Sequence, residues 1–234
     1  MAIKTFLFDL DGTLLPMDEK KFETYYFTSL HQACGDVMDI KQLVASIWQA
    51  TKSMVLNTEY KTNETVFFDE FRQIIGTDAF EAIEPVIANY YSQGFDATRA
   101  ATWTSKAMQE SVALLKQKGY SCRIATNPMF PKEAIEKRIA WTGIDRSFFD
   151  SVTYFEESHY CKPQIEYYKE IMAVNHLEGE ECMMVGNNAL EDLIAAKIGV
   201  TTYLVTNCLL SDEKALTPDY SSDDTGFLSF VKAL

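Results

Sequence analysis

The feature that most constrains this chain is an apolar run near its N-terminus that ends in two carboxylates and a glycine. Residues 3–8 are dominated by Leu, Phe and Ile without helical spacing, and they lead into Asp9, Asp11 and Gly12. An apolar run of this kind predicts a strand buried in a parallel sheet, where ligands bind beyond the carboxyl ends of the strands. On an extended chain the two aspartates would lie on one side, about 6 to 7 Å apart. They are therefore candidates for chemistry on one substrate.

The composition narrows the classes of protein to which the chain can belong. Its 234 residues are enough for one sizeable core and a smaller inserted domain. With 34 acidic against 21 basic residues and a net charge of -13, long-range repulsion disfavours nucleic acids and anionic membranes as partners. The oligomeric state stays open.

The cysteines and the N-terminal segment predict a cytoplasmic protein. The five cysteines are odd in number, contain no Cys-x-x-Cys pair and mostly lie in or beside apolar runs, which is typical of buried reduced thiols. The chain enters the strand directly, without the basic and apolar regions of a signal peptide, and no apolar run approaches the ~20 residues that span a bilayer. We therefore expect neither secretion nor a membrane anchor.

Residues 18–91 carry helical rather than alternating hydrophobic spacing. Four apolar faces predict four helices, which suffice for a small bundle. Many residues on these faces are aromatic, among them Phe22, Tyr26 and Phe67. Such stripes could line a substrate pocket, but at this spacing they are more typical of a packed core, to which we assign most of them. The stretch 94–104 is interpreted as a linker.

From Lys106 onward, helical and strand patterns alternate. This order predicts a parallel α/β sheet with right-handed crossovers. The predicted helices cover residues 106–118, 131–143, 165–174, 190–198 and 227–234. The predicted strands cover residues 121–127, 152–155, 182–186 and 201–205. Residues 217–225 are expected to form a surface loop.

Three later segments place polar residues beside these predicted elements. Thr126 closes a strand, in a place that by itself is typical of a turn or N-cap residue. Lys162 precedes a proline, which favours extended geometry, and by itself is typical of a surface charge. Asn187 follows a buried strand, and Asp192 comes five residues later.

The sequence Asp-x-Asp-Gly-Thr at residues 9–13 resembles the first motif of the haloacid dehalogenase (HAD) superfamily, and the three later segments resemble its second, third and fourth motifs in order. A hairpin turn is the alternative, but residues 16–21 open a helix instead of a second strand. The resemblance implies a Rossmann-like α/β core, with helices on both faces of a parallel sheet, and an inserted helical cap. The core would be residues 1–15 and 105–234, and the cap residues 16–104.

The resemblance also implies roles for individual residues. Asp9 would be the nucleophile, Asp11 the general acid and base, and Lys162 a catalytic residue that neutralises the charge of the nucleophile. The implied ligands of the substrate phosphate are Gly12, Thr126, Asn127 and Lys162. The implied ligands of a Mg²⁺ cofactor are Asp9, Asp11 through its carbonyl oxygen, Asn187 and Asp192.

Asn187 stands where the family pattern has the first acid of its fourth motif. An amide oxygen can bind Mg²⁺ but adds no negative charge, so we expect weaker metal binding. Glu191 is a possible substitute acid, although its place one helical step from Asp192 predicts an exposed side chain.

The implied function is that of a Mg²⁺-dependent phosphatase, which would hydrolyse a small phosphorylated metabolite through an aspartyl-phosphate intermediate. Two alternatives stay open: a phosphomutase on the same core, and a catalytically weakened binding protein of the same fold. Asp11 argues against the dehalogenase branch, because cleaving a carbon–halogen bond needs no proton on the leaving group. The sequence does not identify the substrate.

Overall fold

The computed structural model describes residues 2–234, so Met1, the first residue of the predicted core, lies outside the described part. A five-stranded parallel sheet forms the centre, with the strands in the order β2-β1-β3-β4-β5. The strands are β1 (Thr5–Phe8), β2 (Ser121–Ile124), β3 (Cys182–Gly186), β4 (Thr201–Val205) and β5 (Tyr220–Ser222). The sheet and the helices around it confirm the predicted α/β class with a helical cap.

Strand β1 forms because both of its faces are covered by apolar side chains. Phe6 and Phe8 belong to the large hydrophobic cluster on one face of the sheet, and Leu7 belongs to a second cluster on the other face. Phe8 aligns with Ile124 of β2 on one side and with Val185 of β3 on the other. The carboxyl ends of these three strands therefore meet at one edge of the sheet, where the polar residues that follow them collect.

The core helices supply the covering side chains on the two faces. They are α5 (Lys106–Gln117), α6 (Lys132–Trp141), α7 (Ile165–Asn175) and α8 (Asp224–Ala233). Apolar residues of α5 and α8 pack in the cluster that holds Phe6 and Phe8, whereas those of α7 pack in the cluster that holds Leu7. The alternation of side chains along β1 thus fixes which helices lie on which face.

The four helices predicted for the first part of the chain are confirmed. They are α1 (Glu19–Cys34), α2 (Ile40–Val55), α3 (Asn63–Ile75) and α4 (Thr77–Asn89). The first three begin at residues whose side chains accept hydrogen bonds from main-chain N–H groups of the first turn, namely Asp18, Asp39 and Thr62. These caps satisfy amide groups that a helix leaves without an internal partner.

The prediction of a linker over residues 94–104 is wrong for most of that segment. Tyr90–Gly94 forms a π-helical turn, and Phe95–Ala101 forms a 3₁₀-helix. The cause is burial of apolar surface, because Phe95 is fully buried and its ring stacks on that of Trp141 with the centroids 5.8 Å apart.

The two connections between core and cap run side by side. The Asp18 N–H donates to the Ala101 carbonyl at 3.0 Å, and the Trp103 N–H donates to the Pro16 carbonyl at 3.0 Å. These paired segments lie next to the predicted domain boundaries, which remain a prediction.

The predicted strand over residues 152–155 is wrong. Among the described residues, Val152 makes one isolated bridge with Ile124 and no strand forms around it. The chain then turns, with the Glu157 and Ser158 N–H groups donating to the Tyr154 carbonyl at 3.2 and 2.9 Å.

The predicted helix over residues 190–198 is shortened to a 3₁₀-helix, Leu193–Ile198. The Asn188 side chain delays its start, since its Oδ1 atom accepts from the N–H groups of Leu190 at 3.1 Å and Glu191 at 3.2 Å. An Asn side chain that bonds nearby amides in this way favours a turn over a helix.

The prediction of a surface loop over residues 217–225 is also wrong, because the segment contains β5 and the start of α8. Tyr220 of β5 stacks on Tyr203 of β4 with the ring centroids 6.0 Å apart. The predicted closing helix is confirmed as α8.

The five cysteines are free thiols, four of them buried and Cys208 partly buried. Within residues 2–234, every helix is too short or too polar to serve as a membrane span.

Replacing Phe95 by Ala tests whether the segment after α4 belongs to the packed interior. We expect a loss of about 3–5 kcal/mol in the free energy of unfolding, because truncating a buried aromatic side chain leaves a cavity. Urea denaturation of the wild type and the variant measures it. Val174→Ala, at a residue that is 70% exposed, is the control and should change the free energy by no more than about 0.5 kcal/mol. Equal effects of the two changes would contradict the packing described here.

Candidate active site

The structure gathers the residues of the four motifs at the carboxyl edge of β1, β2 and β3. Asp9 follows β1, Thr126 lies two residues beyond β2, and Asn187 follows β3. Lys162 and Asp192 arrive on the segments before α7 and before the 3₁₀-helix that follows β3. All five residues are buried.

A buried lysine joins two of the aspartates. The Lys162 Nζ atom donates to Asp9 Oδ1 at 2.9 Å and to Asp192 Oδ1 at 2.7 Å. Lys162 and Asp192 are each 1% exposed and Asp9 is 7% exposed. Breaking a buried ion pair by removing one partner leaves an uncompensated charge, so each of these groups depends on the others.

Burial shifts the proton affinity of the groups in this network. It raises the pKa of Asp9 to about 8, against the opposing charge of Lys162. For Lys162, burial disfavours the ammonium form, but the Asp192 and Asp9 carboxylates outweigh it and hold the pKa of the lysine well above its ordinary range. One ammonium is therefore shared between two carboxylates, and an additional cation beside Asp9 would favour its ionised form.

Asn127 fixes the main chain of the lysine. Its Oδ1 atom accepts from the Lys162 N–H at 3.1 Å, and its Nδ2 group donates to the Lys162 carbonyl at 3.3 Å and to Glu191 Oε2 at 3.2 Å. The predicted phosphate ligand Asn127 thus has its side chain committed to holding the third motif against the second and fourth.

Asn187 is oriented by hydrogen bonds at both ends of its amide group. Its Nδ2 group donates to the Cys208 carbonyl at 2.7 Å, and its Oδ1 atom accepts from the Thr13 hydroxyl at 2.8 Å. The same hydroxyl lies 3.4 Å from Asp9 Oδ2. Gly12 is required beside it, since a Cβ at this residue would clash with the Asn187 side chain and its φ of +80° lies in the left-handed region.

Asp11 has a different partner, which the sequence did not reveal. Arg138 of α6 forms an ion pair with Asp11 Oδ2 and is itself 1% exposed. The guanidinium lies over the Phe130 ring at 4.7 Å from its centroid, and its Nε group donates to the Ala134 carbonyl at 3.2 Å. Burial raises the pKa of Asp11, against the opposing charge of Arg138. The two acids of the first motif are therefore each held by a cation of their own.

Two of these residues carried a signal that sequence reasoning could have used. Arg138 lies three residues after Ile135 and next to Ile139, on the buried face of its helix, where an arginine has to find a partner. Thr13 is part of the first motif, four residues after Asp9. This short separation is the signal for a contact between its hydroxyl and that carboxylate.

Two further residues border the same space. Thr126 lines the cavity above Asp9, and its carbonyl is held by the hydroxyls of Thr153 at 2.7 Å and Tyr167 at 2.8 Å. Glu191 also lines this cavity, so the prediction of an exposed side chain is wrong; burial raises its pKa to about 7. Its hydrogen bond with Asn127 draws the side chain inward.

The cavity has a volume of about 420 Å³ and lies between the catalytic edge of the sheet and the cap helices. Its walls are formed by aromatic residues that include Phe22, Tyr26, Trp48 and Phe67. The assignment of most cap aromatics to the core holds for Phe22 and Tyr26, which are buried in the large hydrophobic cluster and also border the cavity, but it is wrong for Trp48, which is exposed. The assignment also holds for a set that is fully buried in the same cluster: Phe71, Phe80, Tyr90 and Phe95.

The oxygen atoms available to a metal ion are few. Asp9 Oδ2 and Asn187 Oδ1 both lie beside the Thr13 hydroxyl, whereas the Asp192 oxygens accept from Lys162 at 2.7 Å and from the Asn188 N–H at 2.9 Å. In the part of the chain that the structure describes, no group of three or more His, Cys, Asp and Glu side chains is arranged to hold a metal ion. A cation here would depend on amide and main-chain oxygens besides the Asp9 carboxylate, a donor set that suits Mg²⁺.

The family follows from comparison with known proteins. The model of the haloacid dehalogenase-like hydrolases matches residues 3–198, which include all four motifs. The chain belongs to this family. It is thus an enzyme of the hydrolase class, as the motif order predicts.

Relatives and solved structures agree with this assignment. The pyrophosphatase PpaX of Bacillus mycoides is 25% identical over 231 residues, covering 95% of this chain and 94% of that protein. The L-2-haloacid dehalogenase RSc1362 superposes with a TM-score of 0.62 at 16% identity, covering 99% of this chain and 100% of that one. An HAD phosphatase from Thermococcus onnurineus gives a TM-score of 0.60 at 18% identity, covering 99% and 97%. At these identities the two structures establish the fold alone.

Replacing Arg138 by Met tests whether this arginine compensates the charge of Asp11, whose side chain is 29% exposed. We expect a loss of about 1–3 kcal/mol in the free energy of unfolding near pH 8, because a carboxylate with limited access to water loses its charged partner. The loss should shrink near pH 5. Without Arg138 the folded-state pKa of Asp11 rises further above its unfolded value, so the carboxyl can take up a proton as the pH falls through the raised pKa.

Urea denaturation in a chelating buffer at both pH values measures this effect. The matched control is the double variant Asp11→Asn with Arg138→Met, which lacks the titrating group and should show the same stability change at both pH values. A loss from Arg138→Met alone that does not depend on pH would refute the assignment.

Proposed function

We propose that this hydrolase is a phosphatase that cleaves a small phosphomonoester through an aspartyl-phosphate intermediate on Asp9. The observation that carries the proposal is the separate pairing of the two acids, Asp9 with Lys162 and Asp11 with Arg138, at one edge of the sheet. A nucleophile and a proton donor need different environments, and two cations supply them. Relatives named pyrophosphatase support hydrolysis at phosphorus.

In the first step an Asp9 oxygen attacks phosphorus, and the bond from phosphorus to the ester oxygen breaks. Asp11, in its protonated form, gives its proton to the departing alcohol. In the second step Asp11 takes a proton from water, and the resulting hydroxide attacks the aspartyl phosphate, which releases inorganic phosphate and restores Asp9. Burial, which raises the pKa of Asp11, supports the protonated form that the first step requires.

The phosphate would be bound by groups around Asp9. Lys162 would offer its third N–H to a phosphate oxygen, and the Thr126 hydroxyl and the main-chain amides near Gly12 and Asn127 would complete the site. Lys162 reaches this position because Asn127 holds its main chain on both sides. Positioning of this kind is a large part of catalysis in phosphoryl transfer.

The oxygen donors at this edge fit Mg²⁺, and we propose Asp9, the Asp11 carbonyl and Asn187 as its direct ligands. Asp192, whose two oxygens are hydrogen-bonded, would act mainly by holding Lys162 and the loop at Asn188. When bound, Mg²⁺ supplies positive charge that lowers the repulsion between a carboxylate and a phosphate dianion. The free thiols at the five cysteines support a reducing, cytoplasmic location.

Replacing Asp9 or Asp11 by Asn tests the two assigned roles. We expect Asp9→Asn to abolish release of phosphate from phenyl phosphate, and Asp11→Asn to lower kcat by a factor of about 10² to 10⁴, because it removes general acid catalysis. Phosphate release with Mg²⁺ and with a chelator measures both effects. Asp36→Asn, at an exposed residue outside the site, is the control and should turn over like the wild type.

Wild-type turnover in either variant would overturn the corresponding role. Tight phosphate binding without any release would favour the binding protein, and isomerisation of a sugar phosphate would favour the mutase.

Replacing Asn187 by Asp tests its role as a metal ligand. The added charge should lower the half-saturating concentration of Mg²⁺, although the energetic effect is limited to a few kcal/mol by an effective dielectric near ~20. Without Mg²⁺ the variant should melt at a lower temperature than the wild type, because a carboxylate cannot donate to the Cys208 carbonyl as the amide does. Activity against Mg²⁺ concentration and thermal melting with and without the ion measure the two effects.

Asn89→Asp is the matched control, since it adds the same charge at an exposed residue of α4. Superimposed Mg²⁺ curves for the wild type and Asn187→Asp would show that Asn187 is not a ligand.

A further inference from the structure

We propose that the cavity above Asp9 selects phosphomonoesters whose alcohol part is aromatic and carries no negative charge, such as aryl phosphates with fused rings. This inference rests on the proposed phosphatase function, which decides the bond that is cleaved. The preference for an uncharged aromatic alcohol group is inferred from the cavity alone.

The charge distribution around the cavity disfavours a second anionic group. Among the described residues that line the cavity, the one cationic side chain is Arg138, and it is paired with Asp11. Glu19, Glu23 and Glu191 add carboxylates to the same lining. The Arg138 Nη2 group has no hydrogen-bond partner in the described part of the chain, but the charge of the guanidinium is already balanced by Asp11. A second phosphate or a carboxylate on the substrate would therefore meet a net negative lining, which costs affinity.

The basic residues of the cap do not change this balance. Lys52, Lys61 and Arg99 are exposed and do not line the cavity, and Lys61 is paired with Glu59 at 2.7 Å. A substrate such as inorganic pyrophosphate, which is anionic at both ends, would therefore place its second end against a lining of net negative charge.

Aromatic rings form much of the cavity wall. Tyr26 and Phe130 meet edge to face with the ring centroids 5.5 Å apart, and Phe27 lies tilted against Trp48 at 6.1 Å. Rings arranged in this way can present both edges and faces to another aromatic group. A volume of about 420 Å³ lies in the range of small-molecule sites and accommodates a fused ring system.

Trp48 lies at the boundary of the cavity. It lines the cavity, yet 54% of its surface is exposed. An aromatic ligand in the cavity would cover part of this exposed indole, and removing that apolar surface from water favours binding. We therefore expect Trp48 to contact the bound aromatic group.

A matched pair of phosphate esters tests the preference. 2-Naphthyl phosphate has the proposed chemistry, and 6-carboxy-2-naphthyl phosphate adds one negative charge while making the alcohol, if anything, a better leaving group. We expect kcat/KM for the first to exceed that for the second, and that for inorganic pyrophosphate, by about a hundredfold, as like charges placed close together can produce. Equal or reversed values would overturn the inference.

Substitutions in the lining identify the cavity as the source of the preference. Trp48→Ala should raise KM for 2-naphthyl phosphate about tenfold, as expected for an aromatic contact residue, whereas Trp103→Ala, at a residue that is 53% exposed and outside the cavity, should not. Glu23→Lys should shift the ratio of the two kcat/KM values toward the carboxylated ester, and Glu81→Lys, at an exposed residue of α4, should not. Ratios that do not respond to Glu23→Lys would contradict the charge argument.

Binding without chemistry separates this inference from the phosphatase proposal. Trp fluorescence or calorimetry with 2-naphthol and 6-hydroxy-2-naphthoate probes the cavity in the absence of any phosphate. Preferential binding of 2-naphthol that Trp48→Ala weakens would support the ligand class even if no ester were hydrolysed. Equal binding of both compounds, or stronger binding of the naphthoate, would refute it even if phosphate were released.

Discussion

One buried ammonium group between two buried carboxylates sets the geometry of this site. The Lys162 Nζ atom lies 2.9 Å from Asp9 and 2.7 Å from Asp192. The three residues come from three different segments of the chain. Removing charges from water is expensive, so such a group is stable only if all its partners are in place. The sheet order, which puts β1 between β2 and β3, and the hydrogen bonds of Asn127 to the lysine main chain both serve this requirement.

Asp11, the second acid of the first motif, also has a buried cation as its partner. Asp11 is paired with Arg138, whose guanidinium lies over Phe130 in the aromatic wall of the cavity. The charge that balances Asp11 is thus embedded in apolar surface, where Coulomb interactions are stronger than in water. The polar groups of the site and the aromatic wall of the cavity are consequently linked. A change in the wall near Phe130 would alter the position of Arg138 and through it that of Asp11.

The sequence predicted best those elements whose burial is complete. Strands β1, β3 and β4 read as continuous apolar runs, whereas β5 lies at the sheet edge and its polar residues resemble a loop. The motif residues were predicted from their resemblance to the motifs of the family, and parallel topology explains why the strand ends that carry them lie together. Arg138 was not found as the partner of Asp11, since 127 residues separate them. The same helical spacing produced core residues such as Phe71 and wall residues such as Trp48, because only the tertiary arrangement decides what a face meets.

The antiparallel pairing of the two connections has a consequence for how the cavity can admit a ligand. Hydrogen bonds join Asp18 to Ala101 and Trp103 to Pro16, so any displacement of the cap has to bend both connections together. A double-stranded joint resists twisting and permits flexing about one axis. Because α1 begins directly after this joint, flexing would move Phe22 and Tyr26 relative to Phe130 on the core side of the cavity. Admission of a ligand would therefore separate the edge-to-face contacts of these rings, and it would reach Asp11 through Arg138, which lies over Phe130.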